Sequence, residues 1–337
     1  MENLKELKSL LSVPKDIIIT SHRNPDGDAI GSSLAMYHYL VQHGHTVRVV
    51  LPSEYPDNFS WMKDADKIYI YDLSTEYSQQ IIQKSDIIFC LDYNSLDRID
   101  KMGDVIKSLK DTKLVMIDHH LYPDSFADFM MSDSDAGSTC ELVFDFIELM
   151  GDLPRITPTL ADCIYTGIVT DTGSFRFATS PKSFRIVARL LEMGANDVEI
   201  QNQINNSFSE KQLRLLGHCL YNRMHIFEEF QAGMIVLTLQ DYEYYKIQRG
   251  DTEGIVNYLL TLKNLRLAAF ITEQPSIVKF SLRSKGDFDV QEICRNYFNG
   301  GGHKNASGGY WQKGLTSAVD KFVEILPFYK EKLLQKN

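Results

Sequence analysis

The sequence predicts an α/β protein: an N-terminal, mainly parallel sheet with helices on both faces, then a smaller C-terminal α+β domain. Three observations support this. The first half alternates short, nearly continuous apolar runs with stretches of helical spacing, as in strands buried on both faces and joined by crossover helices. With 337 residues, the chain is long for one core. The second half changes character, with apolar runs separated only by Gln274-Pro275, a hairpin-like link.

In the first half, strands are expected at 16–21 (DIIITS), 46–51 (TVRVVL), 67–72 (KIYIYD), 85–93 (SDIIFCLDY) and 112–120 (TKLVMIDHH). Helices are expected at 28–44, 74–84 and 96–109, from a cap at Ser138 or Thr139 to 148, and at 157–171 with Thr157 as cap and Pro158 at the first helical position. A helical pattern rich in polar residues runs from 182 to about 225. Strands at 233–239, 265–273 and 276–284 and helices at 252–262, 290–298 and 317–334 complete the second half. The domain reading is 1–190 for the first domain, 191–225 for a helical connection and 226–337 for the second domain.

Composition restricts the function. The formal net charge of −10 gives no global attraction for a long polyanion such as duplex DNA. A phosphorylated substrate then requires cations or metals concentrated in one site. The five cysteines are an odd number, scattered, and form no C-x-x-C pair, which argues against a disulfide framework or a zinc ribbon. The N-terminus, MENLKELKSLLSVPK, is charged and amphipathic without a signal-peptide core, and no apolar run approaches the roughly 18 residues of a membrane helix. The expected location is the cytoplasm, with no membrane partner.

Several expected strands end in acids. SHRNPDGDAIGSS follows the first, Asp92 ends another, Asp118 and His119 end a third, and Asp171 follows an apolar helix. Ligands of open parallel sheets sit beyond the carboxyl ends of the strands, where these segments converge. His22, Asp26 and Asp28 form H-x-x-x-D-x-D, expected on a loop turned by Pro25 and Gly27. With Asp92, His119 and Asp171 they make a mixed carboxylate and imidazole set, suited to Mn²⁺ more than to Mg²⁺. Converging carboxylates repel one another without metal. Six candidates exceed the needs of one tetrahedral zinc. Two ions roughly 3.5–4 Å apart, bridged by a carboxylate, use them all and activate water against phosphorus. Neighbouring side chains on an extended chain point opposite ways, so His119 and His120 are expected to have different jobs. Taken singly, Asp72, Asp86 and His38 are read as turn, cap or structural residues.

SHRNPDGDAIGS, LDYNS, IDHH and GIVTDTGSF, in this order, resemble the DHH phosphoesterase superfamily, and NGGGHKNASGG (299–309) is similar to the G-G-G-H signature of its DHH-associated C-terminal domain. The resemblance covers nearly the whole chain. It implies that His22 and Asp26 bind a first ion, that Asp28, His119 and Asp171 bind a second, and that Asp92 bridges both. His120 faces the phosphate, Asp118 orients His119 or the local loop, and a water between the ions attacks phosphorus in line. The ions are expected to be Mn²⁺, with Mg²⁺ or Co²⁺ as alternatives. Gly300, Gly301 and Gly302 let backbone N–H groups approach a ligand. His303 and Arg283 supply positive charge to it, with Arg98 a weaker candidate of the same kind.

Within the family, inorganic pyrophosphatases differ in the second domain, RecJ-type exonucleases carry extra nucleic-acid-binding modules, and membrane-anchored cyclic dinucleotide phosphodiesterases have upstream segments absent here. The chain is most similar to the nanoRNase/pAp phosphatase group. That implies hydrolysis of short RNA oligonucleotides to mononucleotides, and of 3′-phosphoadenosine 5′-phosphate, in a cleft between the domains. A phosphodiesterase for linear or cyclic dinucleotides is the alternative. A non-catalytic nucleotide-binding module and a zinc-only hydrolase are further ones. The assembly state is left open, a homodimer included.

Overall fold

The structure is a computed structural model that describes residues 3–206, 208–248 and 250–335. It divides into two compact units, Met1–Ser207 and Phe208–Asn337. The described residues of the first unit contain strands β1 (Asp16–Thr20), β2 (Thr46–Leu51), β3 (Tyr69–Ile70), β4 (Ile87–Leu91), β5 (Lys113–Asp118) and β6 (Phe129–Ser132). Their helices are α1 (Leu4–Leu10), α2 (Gly27–Gln42), α3 (Thr75–Gln83), α4 (Lys101–Lys107), α5 (Thr139–Met150), α6 (Pro158–Asp171), α7 (Pro181–Glu192) and α8 (Asp197–Asn205).

The sheet order is β3-β2-β1-β4-β5-β6, with every pairing parallel. From β1 the chain builds outward through β2 and β3, then returns to build β4, β5 and β6 on the other side. The β1/β4 boundary is therefore a topological switch point, and such points open a crevice at the carboxyl ends of the strands. Both faces of the sheet are covered. Ile17 and Ile19 of β1 join one core with residues of α2, α5 and α6, and Ile18 joins another with residues of α3 and α4. Helices α2 and α6 approach closely: a Cβ on Gly31 would lie 2.7 Å from the Cys163 carbonyl oxygen.

Three expectations in this unit change. The 96–109 helix is a 3-10 turn (Leu96–Ile99) followed by α4, because Asp100 takes a left-handed φ of 47° between them. The 67–72 strand shrinks to two residues, and the short, half-exposed edge strand β6 had not been expected. Asp26 and Asp28 sit at the start of α2, not on a turn enforced by Gly27. Gly27 is its first residue and is needed for space, since a Cβ there would run into the Thr170 side chain.

The described residues of the second unit comprise α9 (Glu210–Asn222), β7 (Met224–Phe227), β8 (Ala232–Leu237), α10 (Leu239–Tyr245), α11 (Ile255–Leu259), β9 (Leu267–Glu273), β10 (Val278–Ser284), α12 (Val290–Tyr297), β11 (Gly301–His303), β12 (Ala306–Trp311) and α13 (Leu315–Leu334). Their sheet runs β11-β12-β10-β9-β8-β7, with β8 and β9 parallel and the other pairs antiparallel. The Phe280 and Phe298 rings stack at 4.0 Å between centroids in its core. β7 replaces the end of the expected helical stretch; it is an edge strand with mostly exposed side chains, so no buried alternation announced it. The glycine segment is also a strand, pairing with β12. A Cβ on Gly302, whose φ is 145°, would lie 2.6 Å from the Ala306 carbonyl oxygen, so this glycine serves the hairpin itself. A Cβ on Gly301 would meet nothing within 4 Å.

All five cysteines are buried and unpaired. Among the described residues no helix is long and apolar enough to cross a membrane.

Candidate metal centre

The loops leaving β1, β4 and β5, with the start of α2 and the end of α6, bring six of the expected residues together. These six fall into two groups with ligand atoms within 4.8 Å of one another, His22 with Asp26 and Asp92, and Asp28 with His119 and Asp171; Asp92 also lies this close to Asp118 and His120. Asp92 belongs to the first group and also reaches the second. Its Oδ2 lies 3.4 Å from His22 Nε2, and its Oδ1 lies 3.6 Å from His119 Nε2. One carboxylate thus presents one oxygen to each group. Asp92 holds this place with a left-handed φ of 63°, and its N–H donates to the Ile117 carbonyl at the end of β5. A non-glycine residue in that region is strained and persists where the surroundings over-determine it.

Both histidines are oriented for ligation. His22 Nδ1 bonds the Arg23 carbonyl at 2.9 Å, and His119 Nδ1 bonds the Ala136 carbonyl at 3.1 Å. A carbonyl only accepts, so each Nδ1 carries a hydrogen and each Nε2 faces the carboxylates, where it can ligate a cation once its own proton leaves. Asp26 divides its oxygens. Oδ1 caps α2 by accepting from the N–H groups of Asp28 and Ala29, and Oδ2 lies 3.8 Å from His22 Nε2. Asp28 accepts from the backbone N–H of Thr139 and Cys140, at the start of α5, at 2.6 and 2.9 Å. Asp171 ends α6, with Oδ2 3.3 Å from His119 Nε2.

The electrostatics show what the donor set requires. Burial, and then the charges of Asp92 and Asp171, push the Asp28 carboxyl well above its usual range. Burial, Asp26 and Asp92 push Asp171 up to about 7, although His119 opposes them. Burial alone would lower the histidines. Asp26 and Asp92 outweigh it at His22, which rises to about 10, and Asp171, Asp92 and Asp28 outweigh it at His119, which rises to about 9. Buried carboxylates that hold protons at neutral pH, beside imidazoles that hold extra ones, mark a site short of positive charge. The residues present fit divalent cations.

His120 differs from His119. Its Nδ1 lies 2.7 Å from Asp118 Oδ1, and its N–H donates to Asp118 Oδ2 at 3.0 Å. Asp118 therefore holds His120, ring and backbone, which gives its expected role of orienting His119 or the local loop a definite partner. The same alternation that separates the two histidines puts residues 118 and 120 on one side of the chain. Burial keeps His120 neutral and lowers its pKa to about 3, with Asp92 opposing and the charges of Arg98, His119 and His22 assisting. Arg98 thus lies near enough for His120 to feel its charge, and its carbonyl accepts from Arg23 N–H at 2.9 Å.

In the second unit, Arg283 on β10 is paired with Ala306, which is paired with His303 on β11. Directly paired residues share a face, so Arg283 and His303 lie at one register level on the same side, two strand spacings or about 9–10 Å apart. Gly300 precedes β11, and Gly301 and Gly302 lie in it.

Sequence reasoning missed Thr139, treating it only as a possible cap. The cap is Ser138, whose Oγ accepts from Glu141 N–H at 3.1 Å, while the Thr139 hydroxyl donates to Asp92 Oδ1 at 2.9 Å. Two adjacent hydroxyl residues at a helix start, where one suffices as cap, were the available signal.

The sequence matches the family model described as DHH family, N-terminal domain, over residues 16–168, and the DHHA1 domain over residues 231–331. The bifunctional oligoribonuclease and PAP phosphatase NrnA of Thermus thermophilus is 28% identical over 323 residues, covering 94% of this chain and 91% of that protein. The protein of the same name from Bacillus subtilis is 26% identical over 308 residues, covering 90% and 91%. The crystal structure of an exopolyphosphatase-related protein from Bacteroides fragilis superposes with a TM-score of 0.93 at 38% identity, covering 98% of this chain and 97% of that one. The protein is a metal-dependent hydrolase of phosphate esters. It belongs to the DHH family and carries a DHHA1 domain.

Proposed function

We propose that this protein hydrolyses short oligoribonucleotides to mononucleotides and 3′-phosphoadenosine 5′-phosphate to AMP, using two divalent ions. The observation that carries the two-ion reading is Asp92, with one oxygen toward each of two ligand groups. The substrate reading draws on the likeness to two proteins named as oligoribonuclease and PAP phosphatase. His22 and Asp26 hold the first ion, Asp28, His119 and Asp171 hold the second, and Asp92 serves both. Mixed nitrogen and oxygen donors favour Mn²⁺. Such ions supply Lewis acidity toward phosphoryl oxygens and lower the pKa of a water.

The chain's own groups do the positioning. Asp118 fixes His120 through Nδ1, so that Nε2, on the other side of the ring, meets the phosphoryl group or its water. Arg98 adds positive charge beside it. In the second unit the candidate substrate-binding groups are His303, Arg283 and the open backbone at Gly301, with Gly300 and Gly302 shaping the hairpin. A net charge of −10 suits a short substrate, which needs few phosphate contacts. Five buried, unpaired thiols fit a reducing compartment and support the cytoplasm as its location.

The test is a Mn²⁺-dependent assay of the purified protein on pAp, a diribonucleotide, a cyclic dinucleotide, pyrophosphate, inorganic polyphosphate and a 24-mer single strand. Turnover of pAp and the diribonucleotide well above the 24-mer is expected. Equal rates on the 24-mer and the diribonucleotide would end the short-substrate reading. Preference for the cyclic dinucleotide would replace it with the dinucleotide phosphodiesterase reading.

A further inference from the structure

We propose that Thr139 is a positioning residue that couples the two halves of the metal centre, an inference that rests on the two-ion reading above. Thr139 is fully buried. Its N–H donates to Asp28 Oδ2 and its hydroxyl to Asp92 Oδ1, so one residue holds a carboxylate of the second group and the carboxylate shared by both. Because Ser138 caps α5, the Thr139 hydroxyl is not needed for the helix end.

The hydroxyl acts on a carboxylate that needs holding. The Asp92 backbone is in the left-handed region, so its side-chain direction is not set by ordinary strand geometry. Donation to Oδ1, the oxygen nearer His119, turns the carboxylate plane so that Oδ2 faces His22. A carboxylate offers about four lone-pair directions, so Oδ1 keeps one for a cation while accepting from Thr139.

Thr139 is itself firmly seated. Ala136, three residues earlier, accepts from His119 Nδ1. Gly137 N–H donates to Glu141 Oε2 at 3.4 Å, and that oxygen accepts from Ser183 Oγ at 2.8 Å. Glu141 is buried, and Lys182 Nζ lies 3.5 Å from its Oε1. The segment from Ala136 to Cys140 therefore grips His119 and Asp28 of the second group, and the Thr139 hydroxyl is its link to Asp92.

The experiment titrates Mn²⁺ into the full-length, chelator-stripped protein by calorimetry, with electron paramagnetic resonance at two equivalents. Wild type is expected to take up two ions with the spectrum of an interacting pair. Thr139→Val keeps shape and backbone N–H but loses the hydroxyl. One of its two affinities should fall about 10–100-fold, as loss of an outer hydrogen-bond partner does, and the pair spectrum should give way to that of isolated Mn²⁺. Thr139→Ser should restore both. Thr139→Ala, which also lacks the hydroxyl and favours helix, gives the same reading if the valine variant does not fold. A wild-type protein that binds one ion overturns the two-ion reading and this inference with it. Two ions bound with wild-type affinity by Thr139→Val or Thr139→Ala, or a serine variant as weak as the valine one, overturns the role of Thr139 alone.

Discussion

Asp118 Oδ1 lies 2.7 Å from His120 Nδ1 while Asp118 Oδ2 accepts the His120 backbone N–H, so a single buried carboxylate fixes both the ring and the backbone of that histidine. Replacing one oxygen by an NH₂ group sets a donor against Nδ1–H and turns the ring or its tautomer. Asp118→Asn should lower kcat about 10–100-fold, the usual cost of losing such a partner, with Mn²⁺ affinity unchanged. Steady-state kinetics beside a metal titration check this. Loss of an ion in the variant would show that Asp118 supports ligation instead.

Asp92 faces both ligand groups, so Asp92→Ala should weaken both ions. Activity should fall further than the roughly 10–100-fold expected for an outer partner. Circular dichroism of the chelated variant should match wild type, because the change leaves the apolar cores on both faces of the sheet untouched. A variant that keeps one ion at wild-type affinity would show that Asp92 serves only one group.

Proton linkage of the raised groups in the ion-free protein has one sign, opposed below about pH 6.5 by the lowered His120. The folded pKa of Asp171, about 7, lies above the roughly 3.9 of an unfolded chain, and Asp28 is shifted the same way. The fold then holds protons that the unfolded chain releases, and stability falls as pH rises from about 4 to about 7. The raised histidines extend the trend: their contribution is complete below about 6.5 and is lost as pH passes about 9 at His119 and about 10 at His22. With chelator present, Tm should decline from pH 7 to pH 9, and excess Mn²⁺ should raise Tm more at pH 8 than at pH 5. Differential scanning fluorimetry reads both. An ion-free Tm that rises over this range would contradict the assignment.

The close crossing of α2 and α6 gives a packing test. A Cβ on Gly31 meets the Cys163 backbone, and one on Gly167 would lie 2.7 Å from Asp28 Oδ1. Gly31→Ala should cost about 1–3 kcal/mol in urea unfolding. Gly167→Ala should in addition weaken Mn²⁺ binding, since it displaces a ligand group. Equal Mn²⁺ affinity in Gly167→Ala and wild type would mean that Asp28 accommodates the methyl group.

The parallel sheet and the chemistry at its carboxyl edge were legible because each depends on short stretches: apolar runs of five or six residues, several of them followed by an acid or a histidine. Relations that depend on which face a residue takes were harder to read. Ser138 and Thr139 have the same hydroxyl chemistry, and only the start of α5 decides which caps and which reaches Asp92. Asp118 was expected to orient His119 or the local loop, and only the structure singles out His120 as a group it holds. The glycine run was read as open to a ligand throughout, yet Gly302 answers to its own hairpin. The exposed edge strand β7 buries too little to leave a periodic signature.

The order in which the six residues occur along the chain has a consequence for biosynthesis. The first group is complete once Asp92 has been made, but the second waits for Asp171 at the end of α6. Strands β1 and β4 must also pair across the intervening β2 and β3 before either group closes, and such non-local pairing is slow. On the two-ion reading, a growing polypeptide therefore cannot assemble the second ligand group until α6 has left the ribosome, so metal uptake there comes late in the synthesis of this unit, not at its initiation.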